Sequence, residues 1–483
     1  MRRRVAIIGG GISGLAAAHQ LVQSDPSLDV HLYEAGPRLG GVIQTVRKDG
    51  FLIEGAADNF ITSIPSGIKL CVDLGLAEDL IKTNPIGRGA DVLTQGRLEP
   101  IPSGFMVMAP SRIWPILSTR ILSPWGKLRS GLELFIPKRK GAEDESLKSF
   151  VCRRFGKELF DRLVQPLVGG IYTADPNRLS VAATMPRFLQ MEREHGSLIR
   201  GMLAGRKRSG KPAEKAGGAR YSQFMTLRGG MSKLINALRD SLPEDAIHLN
   251  AAVSSIHRRG DRWRIRMKDP AIKSINADAV IVATPAGHAS DMLASVDAAI
   301  SDELGEIPYA SCAVVSMAFR RDQVKHPLGS FGFVVPQIED HLILSCSFSS
   351  EKYEGRAPEG TILMRVFIGG ACQGGLLRLP DKELLELAHW EIAKLLDVTG
   401  EPLVQHITRQ TNAMPQYHVG HRDRVERVEA RLRDYPTLAL AGNALNGVGV
   451  PGCIDSGQAA ARRILETLDA DIGSEEVSEL SVC

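Results

Sequence analysis

Residues 4–14 read Arg4-Val5-Ala6-Ile7-Ile8-Gly9-Gly10-Gly11-Ile12-Ser13-Gly14. An apolar run of strand length leads into three glycines and then into a helix-periodic segment. The spacing predicts a buried strand over 5–8, a tight turn, and a helix from Ser13 to about Gln23. Gly9, Gly11 and Gly14 fit G-x-G-x-x-G. Gly9 permits the turn, Gly11 lets the backbone approach a pyrophosphate, and Gly14 lets helix and strand pack closely. The helix start, with Gly10, Ile12 and Ser13, offers free N–H groups and a positive dipole end to an anion. Alone, the motif also describes a structural glycine turn. Residues 29–34 read as the next strand, and Glu34 closes it 20 residues beyond Gly14. A carboxylate there accepts from both ribose hydroxyls and repels a 2′-phosphate. Together these features predict a dinucleotide site in a parallel α/β fold, with FAD and NAD both open.

Working outward, the chain has 483 residues, 24% charged and 43% hydrophobic, which excludes a disordered or fibrous protein and points to more than one lobe. Its 48 glycines exceed the usual ~7% and suggest tight turns or close backbone approaches to a ligand. A net charge of +4 is too mild to call for nucleic acid. The seven cysteines form no C-x-x-C pair and have no histidine at zinc spacing, so they read as reduced cytosolic thiols and no metal site is proposed. Met1 to Leu21 has the outline of an export signal, but the second strand at 29–34 favours a buried strand and helix. The segment 101–136 is apolar yet interrupted by Arg112, Arg120, Lys127 and Arg129, so nothing there spans a membrane.

Helical periodicity recurs near 66–76, 146–168, 230–241, 382–396, 422–433 and 454–466. Strands are expected at 279–283, 312–319, 331–336, 342–347, 361–368, 404–409 and 438–441, with a hairpin turning at Gly260-Asp261. The basic, breaker-rich stretch 206–220 reads as a mobile surface loop, and the acidic tail from residue 471 as flexible.

Glu34-Ala35 continues into Arg38-Leu39-Gly40-Gly41, which resembles the extended fingerprint of the FAD-containing amine oxidase and phytoene desaturase superfamily. Residues Ala441 to Val450, with Ile454-Asp455-Ser456-Gly457, are similar to its C-terminal flavin motif. The resemblance implies FAD as cofactor. It implies contacts from Gly41, Val42, Ala57, Asp58, Asn59, Phe60, Val253, Asn443, Val448, Gly449 and Val450, beside the glycine motif, Glu34, Ala35 and Arg38.

Three further stretches resemble one family within that superfamily, the oxygen-dependent protoporphyrinogen oxidases. These are Gly170-Ile171-Tyr172-Thr173-Ala174-Asp175-Pro176 through Ser180, Met191 to Ile199, and Pro415-Gln416-Tyr417-His418-Val419-Gly420-His421. The pieces follow family order from residue 5 to about 466. The sequence departs at Ala56-Ala57-Asp58-Asn59-Phe60, where the family commonly has G-P-[ND]-S-F, and at Thr173-Ala174. It also has Ala90 where many members carry a propionate-binding arginine. Arg88, on the same strand face, is the substitute candidate.

The resemblance implies a Rossmann-like FAD-binding domain of discontinuous segments (1–87, 224–296, 436–470). It adds a mixed-sheet substrate domain (297–435) and a helical, membrane-associating lobe (88–223), with 471–483 as tail. It implies oxidation of protoporphyrinogen IX to protoporphyrin IX in haem synthesis, with hydride passing to the flavin, oxygen as acceptor and hydrogen peroxide as product. Coproporphyrinogen III is the alternative substrate, and an amine oxidase or desaturase activity is a further one. Gly170, Phe331, Gly332, Val334 and Phe367 are the implied substrate contacts, with Phe331 stacked on a pyrrole. No side chain is assigned as catalytic, and His418 and His421 are read as structural. Trp114 and Trp125 suit a lobe resting on the inner face of the cell membrane, while covering the cavity or forming a homodimer are its alternatives.

Overall fold

The computed structural model describes residues 2–87, 89–112, 114–141, 143–209 and 223–480. Arg88 and residues 210–220 of the basic stretch lie outside the described residues, and with them the propionate and loop expectations. Residues 206–209 close the helix Leu198–Ser209.

The strand Arg4–Ile8 lies between Asp29–Tyr33 and Ala279–Val282, and all three run parallel. Ile247–His248 and Leu438–Leu440 extend the sheet to five strands. Val5, Ala6 and Ile7 are fully buried, as a parallel sheet covered on both faces requires. One face carries the helix Ile12–Ser24 and the final helix Val450–Leu480, packed through Leu15, Leu21, Ile454 and Ile464. That final helix runs through the stretch read as a flexible tail from residue 471 to Leu480. The opposite face packs on the antiparallel strands Val253–Arg259, Arg262–Met267 and Ile275–Ala277, whose hairpin turns at Gly260-Asp261 as expected. The helices Ala298–Gly305 and His421–Leu432 pack here too, through Ile300, Leu304, Val428 and Leu432. The sequence placed both in the substrate domain; their apolar faces meet this core instead.

A second, seven-stranded sheet runs in the order 404–415, 309–320, 361–369, 345–348, 332–334, 91–94, 97–100. Only the pairing of Gly332–Val334 with Asp91–Thr94 is parallel, so the sheet is mixed. Its strand 91–94 and its edge strand 97–100 come from residues assigned to the helical lobe. Alternation along the strands divides its faces. Val315, Met317, Val366 and Ile368 bury against Leu384 and Ile392 of the helix Asp381–Leu396. On the other face, Ser316, Arg365 and Ser347 form one row, and Val314, Phe367, Ser345 and Val334 the next. Phe51 and Ile53 of a hairpin from the cofactor side close the end of this face against Leu363.

The lobe has its own core, including Phe105, Phe150, Leu163 and Phe188. The helix expected over 146–168 is divided. Gly156, at φ +93°, ends Leu147–Phe155, and a π-helical turn at Phe160–Val164 precedes Gln165–Tyr172. Fully buried Arg154 ties Leu147–Phe155 to other parts of the lobe, with Nε donating to Glu133 Oε1 at 2.8 Å, Nη1 to Glu192 Oε1 at 3.3 Å, and Nη2 to the Gly196 carbonyl at 2.9 Å. Among the described residues no helix is long and apolar enough to cross a membrane.

Candidate active site

The glycine turn is built as its spacing predicts. Gly9 adopts φ +109°, and a Cβ there would stand 2.6 Å from the Ala283 carbonyl oxygen. A Cβ on Gly14 would meet the Gly9 carbonyl oxygen at 1.9 Å, which is why helix and strand can approach only with glycine here. At Gly11 a Cβ would meet nothing within 4 Å. The first two glycines therefore serve packing that is visible in the protein alone. Gly11 faces open space at a helix N-terminus, where a phosphate fits.

Glu34 stands beside this turn. Its two carboxylate oxygens accept from the Gly10 and Gly36 N–H groups, each at 2.7 Å, and its own N–H donates to the His248 carbonyl at 2.9 Å. Each oxygen keeps lone-pair capacity for a ribose hydroxyl. Ala251 N–H donates to the Glu34 carbonyl, bringing the start of the Val253 strand alongside. Ala35 and Val42 are exposed, and Arg38 donates to the carbonyls of Gly41 and Ile43, holding the Gly40-Gly41 loop against Gly10.

The C-terminal motif returns to the same place. Gly442 N–H donates to Ser456 Oγ at 3.0 Å, and a Cβ on Gly457 would lie 2.1 Å from the Ser13 carbonyl oxygen. Val450 begins the final helix and is buried in the sheet core, with Val448 and Gly449 in the preceding turn. The Pro415–His421 segment is the strut for this turn. Tyr417 Oη donates to the Asn443 carbonyl at 2.6 Å, and His421 Nε2 donates to the Leu445 carbonyl at 2.9 Å while its ring stacks on Tyr417. A carbonyl only accepts, so Nε2 carries the proton. Burial lowers the His421 pKa and so disfavours a charged ring.

The loop Ala57–Phe60 passes beneath the polar face of the seven-stranded sheet. Phe60 and Ala57 pack into the cofactor-side core, and a Cβ on Gly55 would touch Thr408. Asp58 faces two cations. Lys352 Nζ lies 3.1 Å and Arg365 Nη1 3.3 Å from Oδ2, while Arg365 Nη2 donates to the Ala56 carbonyl. Burial would raise the Asp58 pKa, but Lys352 and Arg365 outweigh it and hold the carboxyl below its ordinary range. Neither cation was singled out from the sequence. The available signal was Arg365 itself, a lone charge inside the apolar run Ile362 to Ile368.

Of the expected substrate contacts, Gly170, Val334 and Phe367 converge. A Cβ on Gly170 would lie 3.4 Å from Val334 Cγ1, and Val334 and Phe367 flank Ser345 across paired strands. Gly332, at φ +139°, admits no side chain because a Cβ would stand 2.1 Å from the Cys346 carbonyl oxygen. Phe331 is only 3% exposed, so the expected stacking face is covered, and Phe333 belongs to the core behind the sheet. Ala90 is likewise buried, in the lobe core. Buried side-chain atoms without a hydrogen-bond partner include Thr284 Oγ1 beside Gly9, Thr173 Oγ1, Gln416 Oε1 and Arg365 Nε.

A family model for flavin containing amine oxidoreductases matches residues 12–465. The chain belongs to this family. Its members bind flavin, and the open face at Gly11, the free lone pairs of Glu34 and the unpartnered Thr284 Oγ1 beside Gly9 fit an FAD molecule. Among relatives, this flavin oxidoreductase is 34% identical to the coproporphyrinogen III oxidase of Bacillus subtilis (strain 168), over 97% of this chain and 99% of the relative. It is 30% identical to protoporphyrinogen oxidase 2, chloroplastic/mitochondrial, of Arabidopsis thaliana, over 97% and 95%. A crystal structure from Exiguobacterium sp. 255-15, provisionally described as a protoporphyrinogen oxidase, superposes with a TM-score of 0.85 at 31% identity, covering 96% of this chain and 99% of that one.

Proposed function

We propose that this flavin oxidoreductase oxidises a porphyrinogen, prefers coproporphyrinogen III, and passes the electrons to oxygen with release of hydrogen peroxide. The observation that carries this reading is near full-length identity of 32–35% to three enzymes named coproporphyrinogen III oxidase, against 29–30% for the plant protoporphyrinogen oxidases. Ala90, in place of the arginine that many protoporphyrinogen oxidases carry there, supports it, and its side chain is buried in the lobe core. Protoporphyrinogen IX is the second reading, favoured by the Arabidopsis and Exiguobacterium similarities.

Bound FAD supplies a two-electron acceptor for a carbon–hydrogen bond of a saturated bridge. The chain's part is placement. Gly170, Val334 and Phe367 form an apolar wall, and the small side chains of Val314, Ser345 and Ser347 leave a flat ceiling for a tetrapyrrole. No side chain acts as a strong base. Asp58 is paired and held in its charged form by two cations. A pyrrole N–H loses its proton to solvent. We assign the lobe a role at a membrane surface, because Trp114 and Trp125 are each 79% exposed and Phe135 77%, beside the basic residues Lys127 and Lys138.

A fluorescence assay under air, run in parallel with the two porphyrinogens, tests the assignment. Faster appearance of coproporphyrin than of protoporphyrin is expected, with one peroxide per two electrons. Faster turnover of protoporphyrinogen IX would reverse the preference, and no turnover of either would overturn the porphyrinogen reading.

A further inference from the structure

Five ionisable side chains meet between the Glu54–Phe60 segment and the seven-stranded sheet. Asp58 pairs with Lys352 and Arg365 as described. Arg356, 2% exposed, donates through Nη2 to Thr226 Oγ1 at 2.9 Å and to the Leu227 carbonyl at 3.3 Å. Glu54, also 2% exposed, accepts from Thr45 Oγ1 at 2.7 Å and Met231 N–H at 2.8 Å. Three cations thus face two carboxylates. Burying such a set is costly unless every charge is compensated, and here the compensation is incomplete. Arg365 adds a second mark of incompleteness, because its Nε has no acceptor although it is sealed from solvent. Its guanidinium lies 5.2 Å from the Phe367 ring, whose neighbours in the paired strands are Val314 and Ser345 on the ceiling. The surplus charge and the free donor therefore lie between the cofactor loop and the substrate wall.

We infer that Lys352 and Arg365 are positioning residues whose surplus positive charge, set by Asp58, favours the reduced form of the bound flavin. A two-electron, one-proton reduction leaves the cofactor with one added negative charge, the electrons and proton coming from the oxidised carbon–hydrogen bond. A fixed cation in a water-poor site lowers the energy of that charge without reorganisation. The same carboxylate that secures the two cations also limits their effect, so Asp58 sets the potential as well as the geometry. Burial pulls the Lys352 pKa down, and the ion pair with Asp58 opposes it. The inference rests on the FAD site proposed above, which Gly11→Val tests separately through flavin content alone.

The experiment is a midpoint-potential titration of the purified holoenzyme, with sulfite affinity as a second readout. Lys352→Met removes one positive charge and should lower the reduced-to-oxidised ratio at fixed potential at least tenfold, equivalent to about 30 mV for a two-electron couple. Asp58→Asn should shift it in the opposite direction. Lys352→Arg and the double variant Asp58→Asn/Lys352→Met preserve net charge and should stay near wild type. Either single variant suffices for the sign, so loss of one to misfolding leaves the other decisive. Unchanged potential in a single variant that retains flavin, or equal shifts in the single and double variants, overturns the inference and makes the cluster purely structural.

Discussion

Gly11 and Gly14 occupy one motif yet fail differently when given a side chain. A Cβ on Gly14 would stand 1.9 Å from a carbonyl oxygen, whereas one on Gly11 meets no protein atom. Gly11→Val should therefore fold with a melting temperature close to that of the wild-type apoprotein and yet purify colourless, because the branched side chain occupies phosphate space. Flavin absorbance at the wild-type ratio would remove Gly11 from the site. The glycine turn and Glu34 were legible in the sequence because their spacing follows from covalent geometry and from the phosphate that must be approached. Lys352 and Arg365 were not, since 294 residues separate Lys352 from Asp58 and no local pattern announces a pair formed between a loop and a short helix so far apart in the chain. Phe331 was misjudged for a related reason. A strand's alternation shows that its side chains face two ways, but not which way is buried, and Phe331 is 3% exposed.

Among the elements, two contacts decide whether the parts stay joined. The final helix meets Ile12–Ser24 at Gly457, whose Cβ would overlap the Ser13 carbonyl. Gly457→Ala should destabilise the holoprotein by about 1–3 kcal/mol through forced separation of the two helices, read as an earlier denaturant midpoint. In the lobe, Glu192 accepts from Arg153 at 2.6 Å and from Arg154 at 3.3 Å. Burial pushes the Glu192 pKa up, but Arg153 and Arg154 prevail and hold it below its ordinary 4.5. A folded value lower than the unfolded one gives stability that is present above the unfolded pKa and lost as pH falls through the folded one. Glu192→Gln should cost about 2 kcal/mol at pH 7, and the gap from wild type should narrow in unfolding curves taken below pH 4.5. The helix expected over 146–168 was right in periodicity and wrong in continuity. Gly156 offered a break in the sequence, whereas the buried Arg154 network, which ties the first piece to Glu133, Glu192 and Gly196 elsewhere in the lobe, has no local signal.

At the scale of the molecule, the exposed aromatic residues of the lobe set a directional expectation. Vesicles containing anionic lipid should co-sediment the protein and shift its tryptophan emission to the blue, with the effect reduced several-fold in Trp114→Ser/Trp125→Ser. Equal binding by that double variant would place the contact elsewhere. Another large-scale feature is the order in which the five-stranded sheet draws on the chain. Its central strand is made of residues 4–8, its neighbour of 279–282 and its edge of 438–440, while the helix that closes over Ser13 begins at Val450. On a ribosome, the glycine turn emerges well before residues 438–450 and must wait for them before its walls exist. At about 5–20 residues per second that interval lasts tens of seconds. Cofactor loading therefore awaits a polypeptide that has reached the final helix, and a nascent chain arrested before residue 438 carries the phosphate-binding signature without a site to use it.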